Sequence, residues 1–456
     1  MKLKVIKSEG LAHNSYFLAD EREATVIDPR RDCLIYTKLA QQECAKITFI
    51  LETHRNEDYV TGSLELQNMT DAEICHSKEL AFKYGEHNLD DGETLRIGNL
   101  KIKALYTPGH TNESLCYVVF QSENSIPIFA FTGDTLFVGS VGRTDLMGKH
   151  NQSEQAEKLH RSIHEKLLPL GENVVVYPAH GAGSICGNGI GDQDFSTIGY
   201  ERKTNVFLQL GKDAFVKRAI DEEMLLPPYF KKMEEYNLSG PPLLSKSPIP
   251  SALEISDFEN KMNEPNTVIV DTRMPYAFAG SFIPSSLSIW LGGTTVYTGW
   301  LLGYDQQILF VHERKEDMAR VASHFWRLGF DRMQGFLCEG MNEWQEKGKP
   351  LGQIGTLSVS SLRRKLTENE LLVLDVREPN EWKDGYIEGA EKIFFGHLIN
   401  KGSGISTEKS LAVICSVGKR ASIGASILKR QGFNDVFNVL GGMTAWESLG
   451  YPTKKN

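Results

Sequence analysis

"LETHRNEDYVTGS", residues 51–63, follows a strand-like apolar run, Ile47-Thr48-Phe49-Ile50-Leu51. His54, Asn56, Asp58 and Tyr59 fall together just beyond it. Loops at strand ends are where a rigid scaffold commonly presents reactive groups. His54 and Asp58 are ordinary metal ligands or proton carriers. Asn56 and Tyr59 are not, because an amide binds zinc poorly and a neutral phenol binds it more poorly still.

Three later stretches repeat the arrangement. "YTPGHTNES" (106–114) puts His110 in a glycine turn after "LKIKALY". "FAFTGDTLFVGSVGRTDL" (129–146) puts Asp134 at the end of an apolar run, and "VVVYPAHGAGSICG" (174–187) does the same for His180. Imidazoles and carboxylates at the ends of four separate β-runs suit a sandwich whose loops converge on one mouth. With the first loop, their order is similar to the H-x-H-x-D-H, H, D, H pattern of the metallo-β-lactamase superfamily, over residues 1–242. The resemblance implies an αββα sandwich. It also implies that the two-metal hydrolases of this fold would need histidines where Asn56 and Tyr59 stand. His54, His110 and Asp134 survive, and two histidines with one carboxylate form the facial triad of mononuclear non-haem Fe(II) oxygenases.

That pattern resembles the persulfide dioxygenase branch of the superfamily. It implies one Fe(II) per chain held by His54, His110 and Asp134, with a low-molecular-weight persulfide and O2 as substrates. Asp58, Tyr59 and His180 are then expected beside the ligands or the substrate. Arg143, in "GRTDL", is a candidate for an anionic substrate group or a brace to Asp145. Cys186 is either a sulfur acceptor or an inert buried thiol.

The second half repeats itself. "VIVDTRMPYAF" (268–278) matches "LLVLDVREPNEW" (371–382), and "ILFVHERKEDMARVASHFWRLGF" (308–330) matches "LAVICSVGKRASIGASILKRQGF" (411–433). The spacing agrees, with 41 residues from Asp271 to His312 and 40 from Asp375 to Cys415. Two copies of one α/β domain with a parallel sheet follow, over 250–350 and 354–456. The proline- and serine-rich "SGPPLLSKSPIPS" (239–251) marks the boundary before them.

In the second copy Cys415 stands between a strand and a helix, followed by Ser416, Val417, Gly418, Lys419 and Arg420. Backbone N–H groups at a helix start converge on such a position and favour a thiolate or persulfide anion. Ala421 stands where the C-x5-R loop of cysteine phosphatases has its arginine, which speaks against that alternative. The pair resembles a tandem rhodanese, which implies that Cys415 carries sulfane sulfur. His312 replaces the cysteine in the first copy, among Glu313, Glu316 and Asp317, so that copy is expected to be inactive scaffold. Asp375 and Arg377 are expected to form a structural ion pair.

The whole chain is thus similar to persulfide dioxygenase–rhodanese fusions. These are expected to oxidise persulfide to sulfite and thiol, then use the cysteine persulfide to turn sulfite into thiosulfate. Two rivals stand beside that reading. One is a thioester hydrolase of the glyoxalase II type, with zinc as its metal. The other is a sulfur-carrier or sensing protein without turnover.

Bulk properties agree with a multidomain globular chain: 456 residues, 41% hydrophobic and 24% charged. A net charge of −9 without a basic block gives no footprint for nucleic acid, and the N-terminus has no apolar span for a membrane. Seven scattered cysteines without CxxC pairs suggest a reducing, cytoplasmic setting. Cys33, Cys44, Cys75, Cys116 and Cys338 are expected to be packing residues, and a homo-oligomer is expected from the fold.

Overall fold

A computed structural model describes residues 1–121, 126–222, 224–244, 249–401, 404–405 and 409–455. Two compact units emerge: Met1–Ser247 with Trp326–Gly329, and Pro248–Phe325 with Phe330–Asn456. Positions 245–248 of the expected 239–251 boundary lie outside the described residues.

The first unit contains two six-stranded sheets. One runs in spatial order through β1 (Lys2–Ser8), β2 (His13–Asp20), β3 (Glu23–Ile27), β4 (Lys46–Leu51), β5 (Glu73–Ser77) and β6 (His87–Leu89). The other comprises β7 (Thr94–Ile97), β8 (Leu100–Tyr106), β9 (Leu115–Phe120), β10 (Pro127–Gly133), β11 (Val175–Pro178) and β12 (Ser196–Thr197), in reverse spatial order. In β8 the lysines 101 and 103 alternate with buried Leu100, Ile102 and Ala104, the period-two pattern of a strand. β9 and β10 read as near-continuous apolar runs because both of their faces are covered.

Tyr16, Leu18 and Ile27 of the first sheet pack with Ile97, Ile102, Tyr117 and Phe131 of the second. Burying a side chain such as Phe131 contributes about 2–3 kcal/mol. The outer face of the first sheet carries Tyr36, Ala40 and Leu66 from the helices Leu34–Gln42 and Ser63–Thr70. The outer face of the second carries Ala156, Leu159 and Phe215 from the helices Gln152–Arg161 and Lys212–Asp221. These are the four layers expected of the sandwich. His54, His110, Asp134 and His180 each follow the C-terminal end of a strand (β4, β8, β10, β11) within four residues.

The second unit holds two parallel five-stranded sheets of the same topology. The first is ordered β13 (Ala252–Leu253), β17 (Met333–Leu337), β16 (Gln307–Val311), β14 (Thr267–Asp271), β15 (Leu287–Ser288). The second is ordered β18 (Gly355–Ser358), β22 (Val436–Leu440), β21 (Ser410–Ile414), β19 (Leu371–Asp375), β20 (Glu391–Lys392). The internal repeat is therefore a repeat of structure. Each copy buries the same ion pair at the end of its second strand. Arg273 Nη2 lies 2.7 Å from Asp271 Oδ2, and Arg377 Nη2 lies 2.7 Å from Asp375 Oδ2. The copies touch through Ser288 and Ser422, whose hydroxyls are 2.8 Å apart.

Two cysteines depart from the packing expectation. Cys44 is exposed and Cys338 half-buried. Cys44 adopts a left-handed φ of 51° in the turn after the helix Leu34–Gln42, where the chain reverses and no core faces its side chain.

The Arg377→Ala substitution would strand the buried Asp375 carboxylate. Its expected cost is about 3–5 kcal/mol, read as a lowered urea midpoint for the second unit.

Candidate metal centre and cysteine loop

Both candidate histidine ligands are oriented from behind. His54 Nδ1 lies 2.8 Å from Thr53 Oγ1, whose hydroxyl lies 2.8 Å from Asp28 Oδ2. The Thr53 amide donates to Asp28 Oδ1 at 2.8 Å. With the threonine hydroxyl hydrogen directed to Asp28, its oxygen accepts from His54 Nδ1–H, and His54 Nε2 presents a lone pair. Asp28 reaches this position from a left-handed φ of 50° at the end of β3. Burial pushes its carboxyl up to about 7, against the pull of the two Thr53 hydrogen bonds.

His110 is fixed by a carbonyl. Its Nδ1 lies 2.9 Å from Arg143 O, which only accepts, so Nδ1 carries the hydrogen and Nε2 the lone pair. Gly142 permits this approach. A Cβ there would lie 2.0 Å from Asp134 O and 2.9 Å from His110 Nδ1.

The Nε2 atoms of His54 and His110 are buried and have no hydrogen-bond partner among the described residues. They face Asp134 Oδ2 at 3.8 and 3.3 Å. The three ligand atoms lie within 4.8 Å of one another. Two ligands on one ion at bonds of about 2.1 Å are roughly 3–3.5 Å apart, so the cluster fits a single ion after small adjustments. Burial pushes the His54 imidazole down to about 3 and lowers that of His110. Both are therefore neutral and able to donate a lone pair. Burial alone would raise the Asp134 carboxyl, but His180, charged and hydrogen-bonded to it, outweighs burial and holds it well below the usual range.

His180 bridges two carboxylates. Its Nδ1 lies 2.8 and 3.0 Å from the Asp134 oxygens, and its Nε2 lies 3.0 Å from Asp58 Oδ2. Burial opposes a charge on this ring, yet Asp134 and Asp58 raise its pKa well above the ordinary value. Tyr59 is buried and stacks on His13, with ring centroids 4.0 Å apart. Burial raises its phenol well above 10, so it stays neutral. Asn56 donates to His54 O at 3.3 Å.

The remaining candidates have definite places. Arg143 gives Nε and Nη2 to Asp145 and Nη1 to the carbonyls of Ile185 and Leu225. Its fork is committed to holding the loop. Cys186 is buried beside Asp58 and His180. Burial pushes its thiol well up, and the charges of Asp58, Asp134 and Glu57 add to that.

Some neighbours carry no sequence signal. Glu57 is buried, its Oε2 lies 3.8 Å from His110 Nε2, and neither oxygen has a hydrogen-bond partner among the described residues. Asn237 donates to the carbonyls of Asn56 and Tyr59 at 2.6 and 2.7 Å, pinning the loop from a distant helix. Glu57 belongs to the loop itself and is made unusual by its burial, whereas only the tertiary fold brings Asn237 to it.

In the second unit Cys415 is buried between β21 and the helix Lys419–Arg430. Gly418, at a left-handed φ of 95°, donates its amide to Cys415 Sγ at 3.1 Å. Its carbonyl accepts from Asn438 Nδ2 at 3.0 Å. Arg420 is tied to both oxygens of Glu381, and Ser416 Oγ donates to Glu381 Oε1 at 2.9 Å. Burial would raise the Glu381 carboxyl, but Arg420 outweighs it and holds the group lowered. Lys419 Nζ lies 5.5 Å from the Trp290 ring centroid, and Val417 is exposed. The charge of Arg420 beside the thiol loop is thus matched by Glu381. In the first copy His312 is buried edge-on against Phe336.

Comparison with known proteins matches separate stretches of the chain to different families. Residues 9–180 match the metallo-beta-lactamase superfamily, and residues 254–347 and 358–449 each match the rhodanese-like domain. A mitochondrial persulfide dioxygenase, ETHE1, of Bos taurus is 31% identical over 212 residues, which is 44% of this chain and 74% of that protein. The hydroxyacylglutathione hydrolase GloC of Haemophilus influenzae is 27% identical over 230 residues, 46% of this chain and 98% of that protein. A crystal structure titled metallo-beta-lactamase, from Staphylococcus aureus, covers 74% of this chain and 98% of its own, at 28% identity and a TM-score of 0.66. Among the described residues no helix is long and apolar enough to cross a membrane.

Thr53→Val keeps the side-chain shape but removes the oxygen that holds His54 Nδ1. Metal affinity, measured by competition with a chelator, is expected to fall about 10–100-fold with the far-UV spectrum unchanged.

Proposed function

The chain belongs to the persulfide dioxygenase family of the metallo-β-lactamase superfamily, joined to two rhodanese-like domains, and from that premise we propose that it oxidises low-molecular-weight persulfides and passes sulfane sulfur to sulfite. The observation that carries this reading is the pair of bare, buried Nε2 atoms facing Asp134 Oδ2. Two imidazoles and a carboxylate suit one Fe(II) and leave positions open for a sulfur substrate and O2. When bound, that ion supplies the redox chemistry by which O2 is added to the terminal sulfur. The overall step is RSSH + O2 + H2O → RSH + SO3(2−) + 2H+.

The protein's own contribution is orientation. Thr53 and the Arg143 carbonyl hold His54 and His110 in the tautomer that donates from Nε2. His180 donates to Asp134 and keeps its carboxylate turned toward them. Asn56 and Tyr59 add neutral groups where the two-metal pattern has imidazoles, which favours a single ion at the first position.

The sulfurtransfer step belongs to Cys415. Its thiolate attacks the outer sulfur of a second persulfide, the S–S bond breaks, and RS− leaves with a cysteine persulfide formed. Sulfite then attacks the terminal sulfur, thiosulfate departs, and the Cys415 thiolate is restored. The Gly418 amide, 3.1 Å from Sγ, is placed to stabilise that thiolate.

The likeness to hydroxyacylglutathione hydrolase favours a second reading, zinc-dependent thioester hydrolysis. Metal analysis of anaerobically purified protein, with O2 uptake on persulfide and thioester turnover in parallel, separates the two. Zinc with thioester turnover and no O2 uptake would overturn the oxygenase reading.

Cys415→Ser is expected to keep most persulfide-dependent O2 uptake while sulfite replaces thiosulfate as product, resolved by chromatography of the products. His110→Ala is expected to lose both iron and O2 uptake yet retain thiosulfate-dependent sulfurtransfer.

A further inference from the structure

The turn "DPRRD" (28–32) and the far end of the metal loop are joined backbone to backbone. Gly62 donates its amide to Pro29 O at 2.7 Å, and Arg30 bridges to Thr61. Both stretches bear on the candidate ligands. Asp28, at the head of the turn, holds Thr53 and through it His54. Val60 lies two residues after Asp58, which meets His180 behind Asp134.

A segment from far along the chain closes on both. Trp326–Gly329 belong to the first compact unit, although they come at the end of the helix Met318–Arg327 of the first repeat copy. Arg327 gives Nε and Nη2 to the two Asp32 oxygens, each at 2.8 Å, and its carbonyl accepts from Val60 N–H at 2.7 Å. On the single-ion reading of His54, His110 and Asp134, we propose that Arg327 is a positioning residue for the metal centre. It staples the turn that supports His54 to the loop end that supports His180.

The surroundings support a fixed placement. Arg327 is buried, and its planar fork on a carboxylate sets direction as well as distance. Buried Arg31, its chain neighbour in the turn being Asp32, donates to the carbonyls of Trp326 at 3.1 Å and Pro242 at 2.6 Å. Val60 is buried, and a buried amide without an acceptor is costly, so the Arg327 carbonyl restrains the loop at that point. Gly329 has a left-handed φ of 75°, and a Cβ there would lie 2.9 Å from the Tyr236 ring and 3.2 Å from Val60 Cγ2. Tyr236 precedes Asn237, whose amide holds the same loop at Asn56 and Tyr59. The repeat copy that lacks a loop thiol thereby supplies a residue to the support of the metal centre.

The test uses the full chain, stripped of metal and titrated anaerobically with Co(II) against a competing chelator. The visible cobalt bands are recorded at saturation. Wild-type protein is expected to bind the equivalent that His110→Ala loses. Arg327→Ala is expected to bind it roughly tenfold more weakly and to shift the bands, which a loss of overall stability alone does not do. Arg327→Lys keeps the charge without the fork and is expected to fall between the two. Asp32→Asn is expected to weaken binding in the same direction. The double variant is expected to be no worse than Arg327→Ala alone, because both changes remove one contact. Thiosulfate-dependent sulfurtransfer by Cys415 is expected to hold its wild-type level throughout.

Wild-type affinity with unshifted bands in folded Arg327→Ala overturns the proposal. So do fully additive losses in the double variant, or a loss of sulfurtransfer alongside metal, which would place the effect on the fold at large. Should Arg327→Ala fail to fold by circular dichroism, Asp32→Asn carries the test, and unchanged affinity there overturns the proposal equally. A wild-type chain that binds no cobalt at the position His110→Ala defines overturns the single-ion reading as well, so the two failures are told apart.

Discussion

The Asp134 carboxylate is the group on which the first unit's functional end depends. It is buried, and an ionised carboxylate out of water is costly unless donors or cations compensate it. His180 compensates it directly through Nδ1, while His54 and His110 turn Nε2 lone pairs toward it. Lone pairs do not compensate a negative charge, so a cation held among the three groups would add to the compensation that His180 begins. Four loops from four strand ends must close on that point, and each brings its own restraint. Thr53 and Asp28 fix the first, the Arg143 carbonyl fixes the second through the gap left by Gly142, and Asp58 holds His180 from the far side.

The second unit shows the same scaffold with different chemistry. Both copies order their strands alike and bury the same Asp–Arg pair. That pair is part of the backbone's architecture, because the arginine also binds carbonyls after the next helix: Ser281 in one copy and Gly385 in the other. What separates the copies is the loop after the fourth strand in chain order. One has a thiol under a curled glycine amide, and the other has a buried imidazole followed by acidic residues. The frame is repeated, while a thiol stands in the loop of one copy only.

Much of this was legible in the sequence, for identifiable physical reasons. Strand periodicity and the repeat follow from side-chain burial, which local sequence encodes. His54, His110, Asp134, His180 and Cys415 stand out because each directly follows an apolar run. Groups whose roles depend on distant folding were not legible. Glu381 meets Arg420 only because a helix from a separate segment crosses the loop, so the basic residues looked unopposed. Arg143 reads in the sequence as an anion binder or a brace to Asp145; the brace forms, but the further carbonyl partners come from loops far along the chain. Thr53 and Asp28 act through hydrogen bonds that no spacing reveals, and Glu57 is an ordinary acidic letter until burial makes it unusual.

The loss of imidazoles at positions 56 and 59 also has a packing side. Tyr59 fills its position with a ring stacked on His13, and a neutral phenol there needs no counter-charge. Asn56 turns its amide back to the His54 carbonyl, and Asn237 grips both backbone oxygens. On the proposed reading, neutral packed groups stand on the side of the loop where further ligands would crowd the ion. With fewer protein donors, more coordination positions remain for exogenous ligands, and those ligands must bind side by side if O2 is to reach sulfur. A loop that ligated more fully would hold metal more tightly, but it would close the positions that an oxygenase must leave open.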